Sequence, residues 1–197
     1  MSTRARVRDL ARTHDGRLVV RVACSCGDEH RLVGHLGPDV LGEDWDPDLV
    51  VLRISECPPD VTIAAALLDQ RVLAGVGTFW ASKALFAQRL HPWRPARDLT
   101  GDEISALVAR VHELMDRGKD HAVQSATGVL RADHRSWVHG RSGRPCRRCG
   151  ATIRVAPLGR TGPDRVFFSC PGCQGGPAPT DDGRPQGPLG SRRRPGR

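Results

Sequence analysis

The sequence predicts a mainly α fold of the α+β class, in which a helical unit precedes a small two-stranded ribbon. Three features lead to this prediction: two helices joined by a glycine-containing turn, an amphipathic helix after residue 100, and two cysteine pairs after residue 145. The 197 residues, 39% of them apolar, suffice for one medium domain or two small ones. No apolar run reaches the roughly 18 residues that span a bilayer, so we expect no membrane association.

The first 57 residues are predicted to be the remnant of a β-rich domain and a linker. Residues 17–22 have the apolar, β-branched composition of a strand. The potential metal ligands of this region are Cys24, Cys26, His30 and Cys57. Their spacing matches no recognised metal site, so we interpret the cysteines as buried or incidental thiols. No apolar signal segment follows the basic N-terminus, which predicts a cytoplasmic protein.

A helix, a glycine-containing turn and a second helix are predicted between residues 60 and 89. Asp60 can cap the first helix, which ends near Asp69. The turn comprises residues 74–77, and Thr78 can cap the second helix. Free backbone N–H groups at that helix start can bind a phosphate at Gly77 and Thr78, although plain helix packing is the alternative for this segment.

A third helix, from about Thr100 to Gly118, completes a helical domain that we place at residues 58–140. Thr100 and Glu103 have the spacing of a capping box. Between residues 104 and 115, apolar side chains recur at the spacing of one helix face. This helix is the clearest amphipathic element of the sequence.

Two cysteine pairs give the strongest chemical signal. Cys146 and Cys149 enclose two residues, as do Cys170 and Cys173, and twenty residues separate the pairs. Two such turns supply four thiolates to one tetrahedral site. Thiolates favour zinc, and four of them leave no open coordination position, which predicts one structural Zn²⁺. Disulfides are the alternative, which a reducing cytoplasm disfavours.

Between the cysteine pairs, residues 152–155 and 165–169 are predicted to form a β-hairpin. It completes a zinc-ribbon domain at residues 141–174, which is too small to fold without its metal. After Cys173 the sequence is rich in Gly, Pro and Arg. We therefore predict a disordered basic tail at residues 175–197.

The positive charge of the chain is concentrated at its C-terminal end. The formal net charge is +8, but the residues from Arg131 onward contain 14 Arg, no Lys and 4 acidic residues, a net of +10. The first 130 residues therefore sum to −2. This asymmetry indicates a polyanionic partner, with nucleic acid first and an acidic membrane surface second; a solvated basic face is the alternative.

The order of these motifs resembles the formamidopyrimidine-DNA glycosylase and endonuclease VIII family. Residues 67–77 look like its helix–two-turn–helix motif, and residues 137–141 and 168–174 are similar to its zinc finger. Residues 33–42 resemble the linker between its two domains. The likeness covers residues 32–174 and looks closest to the endonuclease VIII branch of some bacteria.

The resemblance implies a clamp on double-stranded DNA with damaged or abasic sites. It implies that Arg165, five residues before the third cysteine, grips the DNA backbone. Further DNA-binding candidates are Gly77, Thr78, Lys83, Arg141 and Arg160. Thr78 stands where the family has asparagine, and Trp80 and His139 stand where it has tyrosine. We expect Lys83 to lie near the phosphate-binding helix start, with a pKa raised by phosphates.

The resemblance also implies an enzyme of base-excision repair, a DNA glycosylase and abasic-site lyase acting on oxidised bases. Family members begin with a catalytic proline and glutamate after Met removal, whereas Ser2 and Thr3 follow Met1 here. We therefore expect the catalytic N-terminal domain to be missing and assign no catalytic residue. The alternatives are a non-catalytic DNA-binding remnant and a zinc-ribbon protein-interaction module. We expect a monomer in the bacterial cytoplasm, at the nucleoid when bound to DNA.

Overall fold

The computed structural model describes residues 6–12, 18–23, 35–43, 45–119, 136–159 and 165–187, in two compact units that divide after Leu36. In the first unit, β1 (Arg6–Arg12) pairs antiparallel with β2 (Leu18–Ala23). This confirms the strand predicted at residues 17–22. The predictions for Cys24, Cys26 and His30 fall outside the described residues.

The second unit is mainly helical and ends in a two-stranded hairpin, as the sequence predicted. Its elements are α1 (Pro47–Ser55), α2 (Ile63–Leu68), α3 (Thr78–Ala87), a 3-10 turn (Ala96–Asp98), α4 (Gly101–Lys119), β3 (Arg154–Pro157), β4 (Val166–Ser169) and the single turn α5 (Pro171–Gln174). None of the helices in the described part of the chain is long and apolar enough to cross a membrane.

Helix α1 was not predicted from the sequence. Asp46 caps it by accepting a hydrogen bond from the Leu49 backbone N–H, and Pro47 follows as the first helical residue. Val50 and Ile54 are fully buried, and the helix packs against α4. Residues 49–52 are all apolar, so no one-sided periodicity marks them as a helix. The helical unit therefore begins before residue 58, the predicted boundary.

Two helix starts differ from the prediction by one or two residues. Thr62, rather than Asp60, caps α2, because its hydroxyl oxygen accepts a hydrogen bond from the Ala65 backbone N–H. Gly77, rather than Thr78, is the N-cap of α3, and Thr78 is already helical. In both cases the N-cap is the residue of extended backbone conformation that directly precedes the first helical residue.

The predicted capping box of α4 is confirmed. The Thr100 backbone N–H donates to Glu103 Oε2 at 2.8 Å, and the Glu103 backbone N–H donates to the Thr100 hydroxyl at 3.2 Å. The predicted apolar face of α4 is buried. Near its end, Trp80 packs so closely on Gly118 that a Cβ there would lie 2.5 Å from the indole ring. The last turn of α4 thus adjoins α3.

The hairpin packs on the C-terminal end of α3. Its strands pair antiparallel, with Val155 opposite Phe168. Phe86 of α3 belongs to the same buried cluster as Phe168 and two of the cysteines. A second, larger core joins the helices, and it also takes in Phe167 from β4. Phe167 and Phe168, which are adjacent in β4, therefore connect the hairpin to both cores.

The segment after the last cysteine differs from the predicted disordered tail. Residues 175–187 make defined contacts, and Ala178 is buried in the larger core. Asp181 accepts two hydrogen bonds from Arg154. This arginine therefore has a buried acidic partner, in a region where the sequence shows an excess of positive charge. Residues 188–197 lie outside the described residues, so the prediction for them stays a prediction.

Candidate nucleic-acid interface and four-cysteine site

The glycine turn leaves the start of α3 without a side-chain cap. Gly77 is exposed, and none of the side chains forms a capping hydrogen bond there in the described part of the chain. A Cβ at Gly77 would meet nothing within 4 Å, so the space in front of the helix is open. The first backbone N–H groups of a helix have no intrahelical partner and carry the positive end of its dipole. This end of α3 is suited to bind an anion.

The side-chain amide of Gln70 fixes the turn from inside. Its Oε1 accepts a hydrogen bond from the Gly75 backbone N–H at 2.9 Å. Its Nε2 donates to the carbonyl oxygens of Val76 at 3.1 Å and Leu68 at 3.3 Å. One side chain therefore connects the end of α2 with the turn that begins α3. Gly75 has a φ of 87°, a conformation that glycine adopts readily.

Residues 37–40 run beside the same turn. The Gly37 backbone N–H donates to the Gln70 carbonyl at 2.8 Å, and the Ala74 N–H donates to the Pro38 carbonyl at 3.0 Å. A Cβ at Gly37 would lie 2.6 Å from the Val72 carbonyl oxygen, so only glycine fits at this position. The glycine turn is thus held on both sides, by Gln70 and by this segment.

The loop end of the hairpin shares a cavity with the segment that follows α2. The cavity has a volume of about 810 Å³ and lies between the end of α1, this segment and the hairpin. Three arginines line it: Arg53, Arg71 and Arg165. Arg71 is paired with Asp69 at 2.7 Å, and Arg53 donates to the Arg71 carbonyl. The structure therefore brings Arg165 to the loop that leads into the glycine turn.

Lys83 has a different environment from the one expected. Its Nζ lies 4.9 Å from the centre of the Trp80 ring, on the side of α3 that faces α4. Burial lowers its pKa to about 8, and the charges of Arg117 and Arg110 act in the same direction. A desolvated ammonium near other cations loses its proton more easily. The expectation that phosphates raise the pKa of Lys83 concerns the DNA-bound chain and stays a prediction.

Two further candidates occupy the junction between α3 and the hairpin. The His139 ring lies edge-on to Phe79 of α3, at 5.7 Å, and to Phe168 of β4, at 4.8 Å. Burial lowers the pKa of His139. Arg141 is only 8% exposed and donates to the Pro145 carbonyl at 2.8 Å. Its guanidinium therefore supports the loop before the first cysteine pair; Arg160 lies outside the described residues.

The four predicted metal ligands come together. The sulfur atoms of Cys146, Cys149, Cys170 and Cys173 all lie within 4.8 Å of one another, and the thiols are free of disulfides. Sγ–Sγ distances are 3.9 Å between Cys146 and Cys173 and 3.4 Å between Cys149 and Cys170. A tetrahedral zinc site with ~2.3 Å bonds has sulfur atoms about 3.8 Å apart. The cluster therefore has the donor set and size of a zinc site.

The thiols differ in how readily they ionise. A hydrogen bond from the Ala151 backbone lowers the pKa of Cys149 to about 7. Burial raises the pKa of Cys170. One cysteine is thus already prepared to be a thiolate, whereas the buried one requires a cation beside it to ionise.

Comparison with known proteins agrees with this geometry. Residues 36–129 match the model of the formamidopyrimidine-DNA glycosylase H2TH domain. The chain is 40% identical over 168 residues to a probable endonuclease 8 2 of Streptomyces coelicolor, covering 85% of this chain and 60% of that protein. It is 36% identical over 148 residues to the DNA-(apurinic or apyrimidinic site) lyase Nei2 of Mycolicibacterium smegmatis, covering 75% and 56%.

Solved structures give the same result. The MutM (Fpg) protein of Thermus thermophilus superposes with a TM-score of 0.63 and 30% identity, covering 76% of this chain and 59% of that one. Lactococcus lactis formamidopyrimidine-DNA glycosylase, bound non-covalently to DNA with an abasic site, gives a TM-score of 0.58 and 26% identity, covering 74% and 52%.

The helix–two-turn–helix unit followed by a four-cysteine hairpin defines a class of DNA-repair proteins. The chain belongs to the formamidopyrimidine-DNA glycosylase and endonuclease VIII family. It spans between 53% and 60% of the length of the curated relatives compared with it.

The sequence did not reveal the residues that fix the turn. Gln70 was visible only as part of the motif at residues 67–77, and Gly37 only as part of a linker. Of the other cavity arginines, Arg53 lies in none of the motifs, and Arg71 lies within the motif at residues 67–77 without a role assigned to it. Their importance comes from distances across the fold, which no local spacing encodes.

Replacing Gln70 with Ala should loosen the glycine turn. We expect faster hydrogen exchange at the Gly75 amide and a loss of stability of about 1–3 kcal/mol, because backbone groups lose their partners. Amide exchange read by NMR measures the first effect, and denaturant unfolding measures the second. Gln88→Ala is the matched control, since Gln88 makes one exposed hydrogen bond to Ala106. Equal exchange at Gly75 in both variants would contradict the assignment.

Proposed function

We propose that this chain binds double-stranded DNA at damaged or abasic sites, as the DNA-holding part of a base-excision repair glycosylase. The observation that carries the proposal is that Arg165 lines a cavity together with the loop that leads into the glycine turn, and the helix start after this turn is open and suited to bind an anion. Relatives of similar fold are bound to DNA with an abasic site or with 8-oxo-G. The finer activity, glycosylase and abasic-site lyase on oxidised bases, follows the family.

The two features would hold the DNA backbone by different chemistry. Backbone N–H groups after Gly77 would bind one phosphate together with the positive helix end. The Thr78 hydroxyl can add one hydrogen bond, whereas the asparagine amide has both an acceptor oxygen and a donor NH2 group. Arg165 can bind a phosphate through two parallel N–H donors. These contacts read no base sequence, so they suit a protein that recognises a lesion in any sequence.

Zinc is the metal that we propose for the four-cysteine site. Its ligands would be Cys146, Cys149, Cys170 and Cys173, and with four thiolates its role would be structural. The metal would hold the ends of the hairpin together, which keeps Arg165 at the cavity. Lys83, Arg141 and Arg160 stay predicted DNA contacts of lower rank, since the first two have protein partners in this structure.

The purified chain should contain one zinc ion. Cys146→Ser should lose the metal and unfold the hairpin, because metal binding provides much of the folding free energy of such small domains. Elemental analysis and hydrogen exchange of the hairpin amides measure the two effects. Cys57→Ser is the control: Cys57 lies outside the cluster, and its thiol donates to the Arg53 carbonyl. Retention of zinc by Cys146→Ser would exclude the four-cysteine site.

Arg165→Ala should weaken binding to an abasic-site duplex by about tenfold or more, because a hydrogen bond to a charged group contributes about 1.5–3 kcal/mol. Fluorescence anisotropy at fixed salt measures the affinity. Arg160→Ala is the matched control, with the same charge and a nearby position in the sequence. If both substitutions weaken binding equally, Arg165 belongs to a general basic surface and makes no particular phosphate contact.

Lyase chemistry requires an amine that can lose its proton, and the side-chain amines of this chain are Lys83 and Lys119. We expect only trace covalent trapping on abasic DNA with borohydride, unchanged in Lys83→Arg. Burial lowers the pKa of Lys83 to about 8, but its Nζ lies against Trp80. Lys119 pairs with Asp116 at 2.6 Å. Efficient trapping that disappears in Lys83→Arg would instead make Lys83 a nucleophile.

A further inference from the structure

The segment after α2 both lines the cavity described above and leads into the glycine turn. It comprises residues 69–72. Its backbone forms a tight turn, in which the N–H groups of Val72 and Leu73 donate to the Asp69 carbonyl at 2.9 and 3.0 Å. Arg71 therefore belongs to a fixed segment that connects the cavity wall with the open start of α3.

Asp69 holds the guanidinium of Arg71 in one orientation. Arg71 Nε donates to Asp69 Oδ1 at 3.0 Å, and Arg71 Nη2 donates to Asp69 Oδ2 at 2.7 Å. The Arg71 backbone N–H also donates to Oδ1, at 2.9 Å. The hydrogen bonds from the Arg71 side chain lower the pKa of Asp69, so the pair is ionised at neutral pH. Because the pairing has two parallel hydrogen bonds, it fixes the plane of the guanidinium.

Arg53 fixes the backbone of the same residue. Its Nη1 donates to the Arg71 carbonyl at 2.5 Å. Arg53 belongs to the last turn of α1 and is half-buried. The backbone N–H, the carbonyl and the guanidinium of Arg71 therefore all have partners within the fold. A side chain that is already ordered loses less conformational entropy when it binds a ligand.

The guanidinium of Arg71 nevertheless faces solvent. Its side chain is 74% exposed. Asp69 accepts hydrogen bonds from two of the five N–H donors of the guanidinium, so the others can bind a further acceptor. An exposed ion pair adds little stability to a fold. The arrangement is therefore better suited to hold a ligand than to stabilise the chain.

The charges around the cavity favour an anion as this ligand. Three arginines line it, Arg53, Arg71 and Arg165, together with two carboxylates, Asp69 and Glu56. The lining therefore has a net charge of +1, and one of the carboxylates is paired with Arg71. The forked donors of arginine match the oxygens of a phosphate. A phosphate is also the group that we propose for Arg165 and for the start of α3.

We propose that Arg71, positioned by Asp69 and Arg53, is a further phosphate-binding residue of this chain and contacts the backbone of duplex DNA. This assignment rests on the proposed function and extends it to a residue outside the motif-based candidates. A free phosphate has the same chemistry as a backbone phosphate. Duplex DNA is the ligand that we favour, because it presents several phosphates at once to Arg71, Arg165 and the glycine turn. The contact reads no base sequence.

Substitution of Arg71 in the full chain tests the contact. Arg71→Ala should weaken binding to an abasic-site duplex by about tenfold, because a hydrogen bond between charged groups is lost. It should also lower the slope of log K against log salt by about 0.9, the effect of one phosphate contact. Arg71→Lys keeps the charge and should keep the slope, but it should lose part of the affinity because the forked donors are gone. Fluorescence anisotropy across a salt series measures both quantities.

Arg97→Ala is the matched control. Arg97 is also exposed and paired with a carboxylate, that of Asp98 at 3.7 Å, and its removal changes the net charge by the same amount. It precedes α4, whose 19 residues extend about 28 Å and whose other end adjoins Trp80 near the start of α3. Affinity and slope should therefore stay unchanged in this variant. Zinc content and melting temperature check the fold of every variant.

The positioning role of Asp69 has its own test, in a double-mutant cycle. Asp69→Asn removes the ion pair and one negative charge, while its amide oxygen can still accept from the Arg71 backbone N–H. In the Arg71→Ala background, the same change reports the effect of charge alone. We expect Asp69→Asn to be less favourable for duplex binding, by about threefold or more, when Arg71 is present. The same effect in both backgrounds, or a larger gain with Arg71 present, would refute the positioning by Asp69.

Three further results would overturn the proposal. An unchanged slope in Arg71→Ala, or an equal change in Arg97→Ala, would remove Arg71 from the interface while leaving the proposed function intact. If Arg71→Ala leaves duplex affinity unchanged but abolishes the binding of inorganic phosphate measured by calorimetry, Arg71 holds a free anion instead. No binding of the full chain to any duplex would refute the proposed function and the role of Arg71 together.

Discussion

The attachment of the four-cysteine hairpin to the end of α3 is the constraint on which the proposed interface depends. Gln174, only 1% exposed, accepts from the Cys170 backbone and donates to the Leu90 carbonyl just beyond α3. Arg148 donates to the Phe86 carbonyl and stacks on the Phe86 ring at 4.2 Å. Both cysteine pairs are therefore attached to the end of the helix whose start forms the glycine turn. Movement at this junction would displace Arg165 from the cavity.

The positions at which this chain departs from its family contribute to packing in this structure. Trp80 packs on Gly118 and supports the contact between α3 and α4. His139 lies between aromatic rings of α3 and β4. Packing alone explains the positions of both side chains. The phosphate-binding capacity of the turn therefore depends mainly on backbone groups, which Gln70 and residues 37–40 hold in position whatever side chain follows Gly77.

The arginines of the C-terminal third have more than one role. Arg154 is committed to Asp181, Arg148 to the end of α3, and Arg141 to the loop before the first cysteine pair. Four thiolates around one divalent ion carry a net negative charge, which nearby arginines would offset. Part of the positive charge thus belongs to the fold. Among the described arginines, Arg165 and Arg144 are exposed, one at each end of the hairpin, where an anionic partner can reach them.

The elements that could be predicted from the sequence are those whose signals are local: the cysteine pairs, the capping box of α4, the strand at residues 17–22 and the glycine turn. Each depends on spacing within a few residues, where backbone geometry and ligand chemistry leave few alternatives. Sequence reasoning missed α1, whose apolar run lacks helical periodicity, and it predicted disorder at residues 175–187. Three features became visible only in the folded chain: the cavity at Arg165, the role of Gln70, and the docking of residues 177–187 on the hairpin. These depend on contacts between residues far apart in the chain, and such contacts form only when burial brings distant partners together.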